Sequence, residues 1–189
     1  MDIINQYKEK KVWVTKKARM NAESRCLVNN NKAIIFLNAY SAALIIISIL
    51  SIFFYNEIDS LISIILSIFI MAISIILAFM DFKEQANQYK ISYLELMKLE
   101  EDLSNLEIKY KDSSPEKMFE EFNEIKKKYI KILQMTPNHK EIDYQKIPKD
   151  TSNSKISINL KGIIFNLIYY LLLILPIVYI ILIFLGNRG

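Results

Sequence analysis

The chain has 189 residues, of which 52% are hydrophobic and 23% are charged, and its formal net charge is +4. These totals are close to those of an ordinary soluble domain, but the charges are distributed unevenly. Three stretches, residues 33–54, 58–80 and 162–185, contain no Lys or Arg. Each is about 20 residues long, enough for a helix to cross the roughly 30 Å hydrocarbon core of a bilayer. The distribution excludes a compact soluble fold and predicts an all-α integral membrane protein with three transmembrane helices.

The N-terminal 32 residues are predicted to form a basic amphipathic helix on the cytoplasmic side. They carry eight Lys and Arg against three acidic residues, and Trp13, Met20 and Leu27 recur every seven residues on one face. Such a helix can lie on an anionic membrane surface or pack against other cytoplasmic helices, and its cations could instead hold a phosphorylated ligand. The candidate lipid-headgroup or ligand contacts are Trp13, Lys16, Lys17, Arg19 and Arg25. No nucleic-acid partner is predicted, because attraction to lipid headgroups explains basic residues next to a span.

The cations that flank the spans predict their orientation. Five Lys and Arg lie within about twenty residues before the first span, the connection around residues 55–59 has none, and further lysines flank residues 81–161. Because Lys and Arg near span ends stay in the cytoplasm, we expect a cytoplasmic N-terminus and a two-span hairpin at residues 33–80. A cytoplasmic middle segment then leads to a third, C-terminal transmembrane helix at residues 162–186. The C-terminus is expected outside the bacterial inner membrane.

Polar residues, mostly serines, follow one face of each of the first two spans. The candidate pore-lining or helix-interface residues are Asn38, Ser41, Ser48, Ser51, Ser63, Ser67 and Ser74. Small hydroxyl residues let helices pack closely and hydrogen-bond across their interface, or they line a narrow aqueous path when several copies assemble. The sequence leaves both interpretations open. No ionisable residue is predicted inside a span, which argues against a proton-coupled transporter or a voltage sensor.

Residues 81–136 are predicted to form a cytoplasmic antiparallel helical hairpin. Apolar residues recur in steps of three and four in two runs, as in a heptad seam, and Ser114 and Pro115 between the runs suit an N-cap and the first helical position. The candidate hairpin or oligomer seam is Leu96, Leu99, Leu103, Leu106, Phe122, Ile125 and Tyr129. The first hairpin helix is expected to continue from the second span without a break, since no Gly or Pro lies between residues 60 and 111. Residues 137–161 are expected to be a linker, and Pro176 is expected to kink the third span.

No catalytic or metal-binding constellation can be assembled from the sequence. His139 is the single histidine and Cys26 the single cysteine, so neither a His-based triad nor a cysteine metal cluster is expected. The three glycines bracket the third span, which leaves no glycine-rich loop to cradle a phosphate. The sequence therefore predicts a protein that is not an enzyme and that uses no cofactor.

One local pattern resembles a known family. Residues 12–22 read VWVTKKARMNA, Arg25 and a serine-bearing hydrophobic hairpin follow, and residues 137–139 (PNH) and 142–144 (IDY) come later. Over about residues 8–147 this pattern resembles the SLATT family. The resemblance implies a bacterial two-span effector domain, found beside nucleotide second-messenger synthases, nucleotide-sensing domains or reverse transcriptases in defence loci. It also implies an action on the membrane, by opening pores or disrupting the bilayer once a sensor detects infection. The third span lies beyond that two-span core.

Two functions are consistent with these features. The first is a membrane effector of an antiviral, abortive-infection type of defence system, which responds to a cytoplasmic sensor or signal-generating partner by opening or disrupting the inner membrane. Because two or three helices cannot enclose a channel alone, this function requires a homo-oligomer. The second is a membrane-anchored helical scaffold that recruits a cytoplasmic partner through the hairpin without conducting.

Overall fold

The computed structural model describes residues 2–54, 57–110, 115–147 and 160–186, and within these ranges all regular secondary structure is helical. The elements are α1 (Asp2–Tyr7), a π-helical segment (Lys8–Trp13), α2 (Val14–Phe54), α3 (Glu57–Met80), α4 (Phe82–Lys109), α5 (Pro115–Gln134), α6 (Glu141–Gln145) and α7 (Leu160–Gly186). Several predicted features lie outside the described residues, namely the connection at residues 55–56, the cap at Ser114 and linker residues 148–159.

Three of the helices are long and apolar enough to cross a membrane, as the sequence predicts. They are the helical segments Ile3–Phe54, which includes α2, Glu57–Lys109, which includes α3 and α4, and Gly162–Gly186 of α7. The first is uninterrupted because no Gly or Pro occurs in it to break the run of backbone hydrogen bonds. Many of its large apolar side chains, and those of the other two helices, face outward; the side chain of Phe79, for example, is 86% exposed. Such a surface suits hydrocarbon better than water.

The chain divides into two units. The first unit consists of residues 1–29 and 82–150, and the second of residues 30–81 and 151–189. The basic N-terminal segment therefore belongs to the same unit as the middle segment, although the two lie on either side of the first two apolar stretches in the sequence. Each unit has its own buried residues and is described separately.

The core of the first unit lies between α4 and α5. All seven residues of the predicted seam are buried in one cluster, which also includes Ile4 of α1 and Val12 of the π-helical segment. Ion pairs link Asp102 to Lys128 and Lys109 to Glu121. Because the earlier residue of α4 meets the later residue of α5, these two helices are antiparallel. The seam is therefore the internal core of one chain.

The N-terminal part of α2 also packs in the first unit, but through a different face from the one the heptad spacing indicates. Ala18, Ala22 and Cys26, spaced four apart, are fully buried, and the last two lie in a cluster with Ala86 and Tyr89 of α4. Met20 and Leu27, by contrast, are 37% and 41% exposed. Small side chains allow two helices to approach closely, so the small residues and not the large apolar ones mark the packing face.

The expected uninterrupted helix through the second span and the hairpin is wrong at one residue. Asp81 separates α3 from α4 with a φ of +39°. This left-handed conformation strains most residues that carry a Cβ atom, and Asp is among the few that adopt it. A sequence rule based on Gly and Pro does not detect such a break.

In the second unit, the later part of α2 packs against α7. The Tyr40 hydroxyl donates to the Leu172 carbonyl at 2.8 Å, and the rings of Phe54 and Phe184 lie 6.3 Å apart, edge to face. Because later residues of α2 meet later residues of α7, these two helices run in the same direction. Pro176 lies inside α7, and helical residues continue on both sides of it.

Candidate functional site

Four serines of the apolar helices hydrogen-bond to their own helices. The Ser51 hydroxyl donates to the Ser48 carbonyl, and Ser63, Ser67 and Ser74 donate in the same way to carbonyls three or four residues earlier, at 2.7–2.9 Å. A serine bonded in this way has satisfied its donor and retains acceptor capacity. It therefore needs no partner on a neighbouring helix.

These polar residues differ in exposure along the first stripe. Asn38 and Ser41 are exposed, Ser48 is partly buried, and Ser51 is buried with 5% exposure. The first two residues of the stripe are thus exposed on the surface of one chain, whereas its last residue is buried within that chain. Their role as pore lining or helix interface stays a prediction.

A buried acidic residue lies at the start of α3, in the predicted connection around residues 55–59. The side chain of Asp59 is 5% exposed, and the Tyr179 hydroxyl of α7 donates to its Oδ1 atom at 2.8 Å. The hydrogen bond from Tyr179, 120 residues later in the sequence, compensates for the hydration that the buried carboxylate loses. No local sequence signal reveals that partner.

Lys32 has an equally specific environment at the other end of the same unit. Its ammonium group hydrogen-bonds to the Asn166 side chain and lies 5.4 Å from the centroid of the Tyr169 ring. The Tyr169 hydroxyl in turn donates to the Lys32 carbonyl at 3.2 Å. Contacts of Lys32 with the Asn166 amide and the Tyr169 ring thus connect α2 to the beginning of α7.

The candidate headgroup or ligand contacts in the first unit occupy different environments. Lys16 forms an ion pair with Glu100 of α4, and the Lys17 ammonium lies 5.8 Å from the centroid of the Trp13 ring. The Lys17 and Trp13 side chains are partly exposed, and contact with lipid or ligand stays a prediction for them. Lys16, by contrast, already contributes to packing between α2 and α4.

Arg19 is the largest fully buried side chain of the unit. It is 1% exposed, and its Nη1 atom donates to the Ile132 carbonyl at 3.3 Å. Its Nε atom has no hydrogen-bond partner, and no carboxylate within the described ranges lies within ion-pair distance. Burial lowers the pKa of this guanidinium, and the nearby Tyr129 and Tyr89 hydroxyls oppose the shift. Arg19 is therefore a packed residue, inaccessible to a headgroup in this structure.

Arg25 and Asp143 form the most completely bonded ion pair of the first unit. Arg25 donates to both carboxylate oxygens, at 2.8 and 2.9 Å, and the Asp143 side chain is fully buried. Asn21 donates to the Asp143 carbonyl at 2.9 Å, and the Lys140 backbone N–H donates to the Asp143 carboxylate at 3.0 Å. The hydrogen bonds that Arg25 donates to the Asp143 carboxylate raise the pKa of Arg25. Asn21, Arg25 and Asp143 all belong to the pattern that carries the family resemblance, and the fold brings them together.

His139 and Cys26 lie near this ion pair. Cys26 is buried, and its thiol is 4.0 Å from the Gln85 side-chain oxygen; burial raises its pKa. His139 is partly buried, and its pKa is lowered by that burial and by the charge of Arg19. Among the described residues no group of three His, Cys, Asp or Glu side chains could hold a metal ion.

The lowered pKa of His139 predicts a pH-dependent stability. The unfolded histidine titrates near about 6.5, and the folded one below that value. As the pH falls through this window, the unfolded chain takes up a proton before the folded chain does, so the free energy of unfolding decreases. Above the unfolded pKa this residue contributes no pH dependence. The melting temperature, measured from about pH 7.5 down to about pH 5.5, should therefore fall more steeply for the wild type than for His139→Gln. Identical slopes would show that the residue titrates normally.

Three helices of spanning length and composition, joined to a folded polar unit, indicate a helical membrane protein. The chain belongs to SLATT_5, the SMODS and SLOG-associating 2TM effector domain family 5, whose model matches residues 3–186. This match confirms the resemblance seen in the sequence. It also extends beyond residues 8–147 and includes α7, so the third apolar helix lies within the family match. The family's description indicates a membrane effector of conflict systems. No curated protein and no solved structure is significantly similar to the chain.

Proposed function

We propose that this protein is a homo-oligomeric effector of an antiviral, abortive-infection type of defence system, which permeabilises the bacterial inner membrane on a cytoplasmic signal. The observation that carries the proposal is the match of nearly the whole chain to a membrane effector family. The signal comes from a cytoplasmic sensor or signal-generating partner, and the first unit receives it.

The distribution of Lys and Arg supports a cytoplasmic first unit. Cations flank the ends of the spans that lead into it, whereas the connection between the first two spans has none. An N-terminus inside and a C-terminus outside require the first and third spans to cross in the same direction. The parallel contacts between α2 and α7, such as Tyr40 with Leu172, are consistent with that topology.

The serine stripes support a weakly selective aqueous path. Because Ser63, Ser67 and Ser74 satisfy their donors within α3, their oxygens can meet water without leaving a buried polar group unpaired. Uncharged hydroxyl walls predict little selectivity between ions. One chain offers too few helices to enclose such a path, so the serines line it only in an oligomer.

The membrane potential of cells tests this proposal. The full chain is expressed with its genomic neighbours, the defence signal is triggered, and polarisation is followed with a potential-sensitive dye. We expect depolarisation with the wild type and a reduced response with Ser67→Ala, because a methyl group dewets a narrow pore. Ser104→Ala is the matched control, since Ser104 bonds to its own helix at Glu100 but lies in the first unit. Full polarisation after triggering, with the wild-type protein confirmed in the membrane, would contradict the proposal.

A further inference from the structure

The first unit contains an open groove of about 700 Å³ between α4, α5 and the residues that follow α5. Its walls include the apolar side chains of Ile91, Leu99, Ile132 and Met135. Ile91 and Met135 are 55% and 73% exposed, so apolar surface is open at the mouth. The volume lies within the range of small-molecule sites, which run from roughly 300 to 1,000 Å³.

Ser92 lines this groove at a position where the seam would otherwise be apolar. The buried residues of α4 follow steps of three and four through Tyr89, Ser92, Leu96 and Leu99, and a leucine or isoleucine is typical at such a position. A serine there buries less apolar surface and leaves the groove open. Serine at this position therefore makes the folded unit less stable than a large apolar residue would.

The Ser92 hydroxyl is buried and has no hydrogen-bond partner. The residue is 2% exposed, and its Oγ atom bonds to nothing in the part of the chain that the structure describes. Ser104, on the same helix, donates to the Glu100 carbonyl at 2.9 Å. A buried hydroxyl without a partner destabilises a protein, and an acceptor atom of a ligand in the groove would remove that penalty.

The charges at the rim favour an anion. Three lysines line the groove together with two acidic residues. Lys98 pairs with Glu95 and Lys128 pairs with Asp102. Lys131 lies within ion-pair distance of no carboxylate in the described ranges, so it leaves one positive charge unmatched.

We propose that this groove binds a small apolar-bodied anion. The apolar walls receive its body, the Ser92 hydroxyl donates to an oxygen of the ligand, and Lys131 attracts its negative charge. This site concerns the first unit alone and does not depend on the permeation of the membrane proposed above.

A ligand of this chemistry, 1-naphthaleneacetate, serves as the probe. The full-length protein in detergent micelles is titrated with it, and binding is followed by saturation-transfer NMR against empty micelles. Acetate, which lacks the apolar body, and 1-naphthaleneethanol, which lacks the charge, are titrated in parallel. We expect the wild type to bind 1-naphthaleneacetate more tightly than acetate or 1-naphthaleneethanol. In Lys131→Gln, the difference in affinity between 1-naphthaleneacetate and 1-naphthaleneethanol should be smaller.

Variants of Ser92 separate a binding role from a structural one. Loss of one hydrogen bond predicts an affinity reduced by about two- to tenfold in Ser92→Ala, and Ser92→Leu should abolish binding by filling the groove. Without the probe, Ser92→Ala should melt higher than Ser104→Ala, because it removes an unpartnered hydroxyl rather than a bonded one. Ser104→Ala should bind as the wild type does. Equal affinities of the wild type, Ser92→Ala and Ser104→Ala, or binding no stronger than to empty micelles, would overturn the proposal.

Discussion

Arg25→Ala is expected to lower the free energy of unfolding of the first unit by about 3–5 kcal/mol. The substitution leaves Asp143 fully buried without the two hydrogen bonds that Arg25 supplies. The buried carboxylate has already lost its hydration. Without its counter-ion nothing compensates that loss, so the free-energy penalty is far larger than the net stabilisation that the ion pair provides. Asp143 also anchors the residues after α5 through Lys140 and Asn21. The loss should therefore extend to the packing of α6.

Fluorescence of the single tryptophan, Trp13, measures this effect, because it lies in the first unit. The full chain is unfolded by denaturant in detergent micelles. The matched control is Lys127→Ala, which removes an ion pair to Glu124 whose side chains are 73% and 65% exposed and should cost less than about 1 kcal/mol. The double variant Arg25→Ala with Asp143→Ala should cost less than the sum of the single variants. A loss in Arg25→Ala no larger than in the control would contradict this account of the pair.

Leu103→Ala is expected to destabilise the same unit by about 2–5 kcal/mol. Leu103 is fully buried in the cluster between α4 and α5, so truncation removes buried apolar surface and leaves a cavity. Leu94→Ala on the same helix is the control, since Leu94 is 41% exposed and should change the free energy of unfolding by less than about 1 kcal/mol. Similar losses for the two variants, by the same fluorescence measurement, would show that the seam is not the core of this unit.

These burial values also bear on the scaffold hypothesis. Leu99 is 3% exposed, so Leu99→Asp would unfold the unit before it could report on partner binding. A partner recruited by the hairpin would have to contact its outer surface, where Met97 and Ile108 are 49% and 75% exposed. Substitutions at these two positions therefore test recruitment without disturbing the core.

Features of the fold with a local cause were predictable from the sequence. The apolar helices follow from long stretches without Lys or Arg, and the core of α4 and α5 follows from the three-and-four spacing that places residues on one helix face. The break at Asp81 was not predictable, since it depends on a left-handed backbone conformation and no Gly or Pro in the sequence indicates it.

The positions of several charged residues depend on partners far away in the sequence, which the sequence pattern could not identify. The sequence left open whether Arg19 and Arg25 face lipid, hold a ligand or pack against other cytoplasmic helices, and their hydrogen-bond partners lie 113 and 118 residues later. Asp59 belongs to the predicted connection, and its buried carboxylate accepts a hydrogen bond from Tyr179 of α7. In each case burial is decided by a tertiary contact, which local periodicity does not encode.

Cysteine accessibility in cells tests most directly the central claim that the apolar helices cross the inner membrane and hold the first unit inside. In a Cys26→Ser background, single cysteines are introduced by Glu57→Cys, at the start of α3, and by Lys98→Cys, at a side chain of α4 that is 70% exposed. A membrane-impermeant maleimide should label the cysteine at position 57 in spheroplasts with an intact inner membrane, and the cysteine at position 98 only after that membrane is permeabilised. Labelling of position 98 from outside, or recovery of the chain in the soluble fraction without detergent, would contradict the account.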